Sequence, residues 1–435
     1  MAAAALETVT PEDPEELKAI LGPKSRYRSP FRPRGSGSAS TDCNTSTVGT
    51  IIDMSAMNRI GEVDVANRSI TVQAGARISD VVAALAEVDM QLDDCYDLPQ
   101  HTVGGAVAGG CVGQAMKSQG AFFSSQAIGL KVITPLGRVV EADIQQPEVL
   151  NMLRLSFGML GVIHEVTLRI RPLRPFSAAQ KTCSFEQFAA GIPTLVRSDV
   201  GLRFSLQPFR DRVFVSLRRF DDQASPPRKL PWKLKTWSES RALPAIVRGL
   251  QYVLPVPGLR HSLVDKINGA AEQTLGNRLV GSGDAVSVQA GRKHVRPYYR
   301  ATWMFPTAGF GEIVKRYAAF CREVQEDSGF RCDQPTVGYL VRQDQSAALS
   351  PSFDQDLFSL TAVSTTPKGW QDFTIDYGEF ARQNGGTPLF NLSPEAHPHR
   401  ARAAYGKRMD YFRNLRRQTD PDNRLMNPFL SRYFL

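Results

Sequence analysis

The 435-residue chain lacks any apolar run of the ~18 to 20 residues that a membrane-spanning helix needs. Its amino terminus, MAAAALETVTPEDPEELKAI, turns acidic where a signal peptide turns apolar, so the chain reads as unexported and cytoplasmic. Cysteine is sparse: Cys43, Cys95, Cys111, Cys183, Cys321 and Cys332 stand without a C-x-x-C or metal-ligand spacing. That pattern argues against a zinc module and a disulfide framework, and fits free thiols in a reducing compartment. There is no Ser/His/Asp order, no His-Glu-x-x-His and no carboxylate cluster, so neither hydrolysis nor a metal site is expected. A net charge of +9 raises nucleic acid as a partner, but no helix-turn-helix, zinc-finger or RNA-binding signature goes with it.

The length implies two or three domains, and 42% apolar residues supply ample core. The basic residues are concentrated: Arg218, Arg219, Arg228, Lys229, Lys233, Lys235 and Arg241 stand beside Trp232 and Trp237. The 218–260 stretch is either a solvated loop or a surface for an anionic membrane or acidic substrate, a peripheral membrane contact.

Apolar periodicity predicts a compact α+β domain from Gly49 to about Pro172. Strands are expected at Thr50 to Met54 and Ser69 to Ala74, and a helix at Ile78 to Val88. Leu130 to Thr134 and Arg138 to Ala142 flank a Pro-Leu-Gly turn and read as a hairpin, followed by a helix from Pro147 to Phe157. Val162, His164, Val166, Leu168 and Ile170 alternate with polar residues as in a half-buried strand, which makes His164 a core histidine. Beyond Pro172 to Pro175 a second α+β domain is expected. Its strands are Gly201 to Pro208, Arg212 to Leu217, Arg300 to Phe305 and Thr336 to Arg342, with a helix from Phe310 to Glu326. Between them, Ser225 to Leu263 reads as a long, weakly structured loop. Arg400 to Leu435 carries an amphipathic helix and Asp420-Pro421-Asp422-Asn423-Arg424-Leu425-Met426-Asn427-Pro428.

Three glycine-rich segments suit close approach to a ligand. Gly35-Ser36-Gly37-Ser38-Ala39-Ser40-Thr41-Asp42, after Arg34, offers backbone N–H groups and hydroxyls to a diphosphate; the alternative is a flexible linker. It fails as a Rossmann fingerprint because Ser40 replaces the third glycine and no strand is expected before it. In the second segment, Leu98 to Gln114, six of the nine residues from Gly104 to Val112 are glycine or alanine, which suits a flat group packing on the backbone or a tight helix contact. The third, Gly158-Met159-Leu160-Gly161-Val162-Ile163, reads as a turn into a strand.

The order and spacing of these segments, with Ile70-Thr71-Val72-Gln73-Ala74-Gly75 between the first two and Asp420 to Pro428 at the end, resemble the vanillyl-alcohol-oxidase/p-cresol-methylhydroxylase (PCMH-type) flavoprotein family. The resemblance implies an α+β, two-domain fold: an FAD-binding domain over 1–175, a sheet-and-helix substrate cap over 176–404, and a return to the FAD domain over 405–435. It implies one FAD, its diphosphate over Arg34, Gly35, Ser36, Gly37, Ser38, Ala39, Thr41 and Asp42 and over Thr102, Val103, Gly104 and Gly105. Gly109, Gly110, Cys111 and Gly113 would lie along the flavin, Gly161, Val162 and Ile163 toward the adenine, and Asn427 would bind from the carboxy terminus. Covalent relatives place histidine where Ser38 stands, so a non-covalent flavin is implied.

The layout is most similar to sugar-lactone and polyol oxidases and to polyprenyl-phosphoryl-ribose oxidases. Where the former carry Glu-x-Arg, this chain has Leu340-Val341-Arg342; where the latter place histidine and lysine beside the flavin, it has Val112 and Gln114. Arg342, Gln114 and Cys111 are the catalytic candidates the resemblance leaves. The implied activity is oxidation of a hydroxyl on a sugar-like, polyol or lipid-linked substrate by hydride transfer to flavin N5, with an unidentified electron acceptor. The alternatives are flavin-dependent C=C reduction and a flavin-binding partner subunit. Cys111 falls where the lactone family has glycine in oxidases and alanine in dehydrogenases, which implies a dehydrogenase.

Overall fold

The computed structural model of the chain describes residues 6–94, 100–116, 120–223, 234, 237–254, 256–276, 279–281 and 298–435. Cys95, Leu98, Pro99, Arg228, Lys229, Trp232, Lys233 and Lys235 lie outside the described residues.

The alternating stretch at Val162 becomes the longest strand, Val162–Pro172, and organises the first part of the chain. Its apolar face, His164 included, is buried, and burial keeps that imidazole below its usual pKa and neutral. This strand pairs antiparallel with Ser69–Gln73 and Ala127–Ile133, and near its end with Met90–Leu92; Ile60–Asp64 and Val139–Asp143 complete the sheet. The expected helix at Pro147 is shorter than its apolar pattern, Pro147–Leu153. Leu155 and Phe157 have positive φ, a conformation a helix does not admit.

A second, parallel sheet sets Gly49–Asp53 between Leu6–Val9 and Phe31–Arg34. Phe31–Arg34 corrects the expectation that no strand precedes the first glycine loop. Pro33 concealed it: a proline cannot donate to a ladder, and this one is tolerated because its strand is an edge. The loop leads into a single 3-10 turn, Asp42–Asn44, rather than a Rossmann helix.

After a three-residue bend the chain enters an eight-stranded sheet, in order Leu279–Gly281, Phe176–Cys183, Arg212–Phe220, Gly201–Gln207, Thr336–Val341, Leu357–Ser364, Tyr299–Pro306 and Thr387–Pro388. Helices Phe185–Arg197, Phe310–Ser328 and Trp370–Gln383 cover one face, where Phe204 meets the rings of Phe188, Phe310 and Phe358.

The expected loop from Ser225 to Leu263 is corrected in its second half by helices Leu243–Val253 and Pro257–Gly276. Of the prolines that read as breakers, Pro257 lies in the first turn of its helix, where the missing N–H has no intrahelical partner to lose, and Pro244 in the first α-helical turn after the π-helical turn Ser238–Ala242. Among the described residues no helix is long and apolar enough to cross a membrane.

The carboxy-terminal segment returns to the parallel sheet. Asp420 accepts the backbone N–H groups of Arg424 and Leu425, both at 2.8 Å, and the Arg424 carbonyl accepts from Phe31 N at 2.7 Å. This turn fixes Asn427, whose Nδ2 donates to the carbonyls of Asp42 (2.7 Å) and Thr45 (2.6 Å).

Candidate cofactor site

The three glycine segments meet in one cleft. Their meeting is a backbone affair. Thr102 caps helix Val103–Ala108, and a Cβ on Gly35 would fall 1.9 Å from the Thr102 Oγ1, so the first loop lies directly on the cap of the second segment. Gly104 N donates to the Ala74 carbonyl at 2.8 Å, and a Cβ on Gly104 would sit 2.6 Å from that of Ala74. Gly158 and Gly161, with φ of +70° and +154°, turn the third segment onto Pro33 and Val132.

Of the expected cofactor residues, Arg34, Gly35, Ser36, Gly37, Ser38, Ala39, Thr102, Gly104, Gly105, Gly109, Cys111, Gly161 and Ile163 line the cleft. Thr41, Asp42, Val103, Gly110, Gly113, Val162 and Asn427 are not on its wall. Thr41 Oγ1 donates to the Phe390 carbonyl at 2.7 Å, Asp42 starts the 3-10 turn that Asn427 holds, and Gly110 lies against Leu389. Val103 and Val162 are core residues of the adjoining helix and strand, and Gly113 is also buried.

Two of the three catalytic candidates fall elsewhere. Arg342 lies at the end of its cap strand, where its guanidinium donates to Val196 O (2.6 Å), Ser198 O (2.5 Å) and Asp356 Oδ2 (2.9 Å). These three partners hold the group away from the cleft wall. Gln114 is 1% exposed and donates from Nε2 to the Gly201 and Ser216 carbonyls, both at 2.9 Å, so it ties the second glycine segment to the cap sheet. Cys111 does line the cleft, and burial pushes its thiol up to about 12, which keeps it protonated and unreactive at neutral pH.

Among the wall residues not expected from the sequence, Arg32 and Asn391 bear most on a ligand. Arg32 is fully buried and donates to the carbonyls of Leu425 (2.5 Å), Cys43 (2.6 Å) and Phe157 (2.5 Å). Desolvation lowers its pKa to about 10, so it remains a cation. Asn391 reaches the cleft from the far side of the cap sheet; its carbonyl accepts from Ser40 N at 2.8 Å. Its Oδ1 is buried without a hydrogen-bond partner. An orphaned acceptor of this kind costs free energy unless a ligand donor meets it. The only signal for Arg32 is its place two residues before Arg34, and Asn391 stands 282 residues beyond Gly109, which its amide approaches, too far for local pattern to connect them.

The wall therefore combines the Arg32 and Arg34 cations, no carboxylate among its described residues, a side-chain-poor floor and an orphaned amide. It fits a long, flat, anionic group such as FAD: exposed backbone and cations suit the diphosphate, and the floor of Gly104, Gly105, Ala108 and Gly109 suits a ring system. Fold and cleft together define a flavoprotein with a sheet-and-helix cap.

An FAD-binding-domain profile matches residues 5–143, and the D-arabinono-1,4-lactone oxidase profile matches residues 166–433. The chain belongs to the D-arabinono-1,4-lactone oxidase family, and its cofactor is FAD. It is 25% identical over 206 residues to L-galactono-1,4-lactone dehydrogenase of Brassica oleracea, 47% of this chain and 34% of that one. The alignment thus spans about a third of that relative's length. Bovine (Bos taurus) L-gulonolactone oxidase is 22% identical over 446 residues, covering 98% of this chain and 94% of its own. A crystal structure of cholesterol oxidase from B. sterolicum superposes with a TM-score of 0.78 at 15% identity, covering 98% of this chain and 94% of that one, a likeness of fold.

Proposed function

We propose that the chain is an FAD-dependent oxidoreductase that oxidises a hydroxyl of a sugar-like, polyol or lipid-linked substrate, with the flavin held non-covalently. The observation that carries this reading is the cleft itself, closed by three glycine segments and by Asn391 from the cap. When bound, FAD supplies a hydride acceptor at N5. The chain's own residues position it: Arg32 and Arg34 balance anionic charge, and the backbone around Gly104 forms the floor. Ser38, which lines the cleft where covalent relatives have histidine, offers no ring nitrogen for a bond to the flavin. The lactone dehydrogenases and oxidases among the relatives favour oxidation over C=C reduction or a non-catalytic subunit, and make aldonolactones the first compounds to try.

Anaerobic addition of aldonolactones, sugars and polyols to the yellow holoprotein should bleach the flavin absorbance with at least one of them, and acid precipitation should release all of it as FAD. A flavin that no hydroxylated compound reduces, while dithionite does, would remove the proposed activity.

Cys111 supports the dehydrogenase form of the reading. It lines the cleft at 7% exposure with Val112 beside it, and a protonated thiol there occupies space that glycine would leave for oxygen. Reoxidation of the reduced enzyme by air-saturated buffer should be slow and should accelerate about tenfold or more in Cys111→Gly. Fast reoxidation in the native protein, unchanged by the substitution, would show that Cys111 gates nothing.

A further inference from the structure

Large apolar side chains are concentrated on the surface of one helical corner. Of the 19 exposed large apolar residues among those described, eight lie between Leu234 and Leu263, a stretch of 30 residues in a chain of 435. The most exposed stand where helix Leu243–Val253 turns into helix Pro257–Gly276: Tyr252 at 89%, Val253 at 74% and Leu259 at 65%. A clustered apolar surface of this kind marks an interaction site rather than the scattered exposure of an ordinary surface.

The corner is anchored on its inner side. Val247, Val264 and Asn268 are buried, Asn268 Nδ2 donates to the Asp333 carbonyl at 3.1 Å, and Gln251 Nε2 donates to Thr366 Oγ1 at 2.7 Å. The cap therefore holds two helices by one face and presents the other, with its apolar tip, outward.

Charge identifies what the tip meets. Residues 228–266 contain eight lysines and arginines against two acids, and one of those acids, Asp265, is already paired with Arg210 (3.1 Å) and Arg331 (2.5 Å). A second copy of this chain would bring the same positive charge against it, which opposes a symmetric dimer through this face. An apolar tip within so cation-rich a stretch instead matches the two layers of a lipid surface: aromatic and aliphatic side chains enter the acyl boundary while lysine and arginine remain among anionic headgroups.

We propose that the Tyr252–Leu259 corner, with Trp237 and Ile246 beside it, docks the protein on anionic bilayers. The proposal is independent of the flavin chemistry. It would bring a membrane-borne substrate or electron acceptor to the enzyme without a spanning segment.

The test is co-sedimentation of the full-length holoprotein with phosphatidylcholine vesicles, with and without phosphatidylglycerol. Binding should require phosphatidylglycerol, and its affinity should fall at least about tenfold between about 0.1 M and about 1 M salt, as the screening length shrinks from ~10 to ~3 Å. The double variant Tyr252→Ser/Leu259→Ser, which leaves the charge unchanged, should weaken binding about tenfold or more. Arg241→Glu/Lys266→Glu should do the same while keeping the apolar tip. All four side chains are exposed, so flavin content and thermal midpoint should match the native protein and separate lost docking from lost folding. Absence of binding to phosphatidylglycerol vesicles at low salt overturns the proposal, as does undiminished binding of the double-serine variant. A concentration-dependent dimer that the same serine substitutions abolish would also overturn it, by assigning the corner to a second copy.

Discussion

Replacing Arg32 with methionine is expected to lower stability by about 3 kcal/mol or more, because three buried carbonyls lose a charged donor, and to leave the purified protein largely without flavin. The guanidinium joins three separate pieces of chain, at Cys43, Phe157 and Leu425, and their carbonyls have that one donor in common. Methionine restores apolar volume but no donor, so three buried acceptors lose their shared partner, each a loss of about 1 to 3 kcal/mol before relaxation. Lysine should rescue little: a single ammonium on a flexible stem cannot reproduce a planar fork directed at three carbonyls. The flavin loss follows because Cys43 and Phe157 line the cleft together with Arg32, and because Arg32 brings a cation to a wall without carboxylates among its described residues. Denaturant unfolding and the ratio of flavin to protein absorbance report the two effects separately. A methionine variant that keeps native stability and full flavin would refute this account of the residue.

Gly104→Val is the second large effect. A Cβ at this position would lie 2.6 Å from the Ala74 Cβ and 3.1 Å from the Ala74 carbonyl oxygen, and Gly104 N already donates to that oxygen. Neither neighbour can rotate away, because one is a methyl fixed to the backbone and the other is backbone. The helix Val103–Ala108 must shift, which breaks the bonds from Gly104 N to Ala74 O and from Val103 N to Ala76 O, both 2.8 Å. Overpacking of this type costs about 1 to 3 kcal/mol, and since Ala74 and Gly104 both line the cleft, FAD affinity should fall by at least about tenfold, equivalent to ~1.4 kcal/mol. Gly105→Ala is the milder comparison, as its Cβ would meet only the Thr102 hydroxyl, at 2.8 Å. Reconstitution of apoprotein with FAD, followed by flavin fluorescence, measures both. Equal affinities for Gly104→Val and the native chain would mean that this contact does not set the cleft.

Much of the architecture was legible because local pattern and tertiary role agreed. The alternation from Val162 to Ile170 could be satisfied only by a strand with one buried face, and the chain uses it as the sheet's longest member. The glycine segments were legible for a related reason: residues with no side chain let backbones approach closely, and parts of all three segments line one cleft. Legibility failed where a residue's meaning depended on position within an element. Pro33 hid an edge strand, and Pro244 and Pro257 hid the starts of two helices, since composition does not distinguish a proline that breaks an element from one that begins it.

The sequence by itself determined the half-buried strand at Val162, the glycine segments and the absence of a histidine at position 38, because these depend on residue chemistry within a few positions. Tertiary structure alone decided which polar groups remain for a ligand. Arg342 and Gln114 looked available in sequence, yet each is engaged by cap backbone or by a carboxylate more than ten residues away. Asn391, inconspicuous in sequence, reaches the cleft with its Oδ1 unpartnered. A polar side chain's availability is fixed by what the fold places within hydrogen-bonding distance of it, and those partners come from segments up to hundreds of residues away.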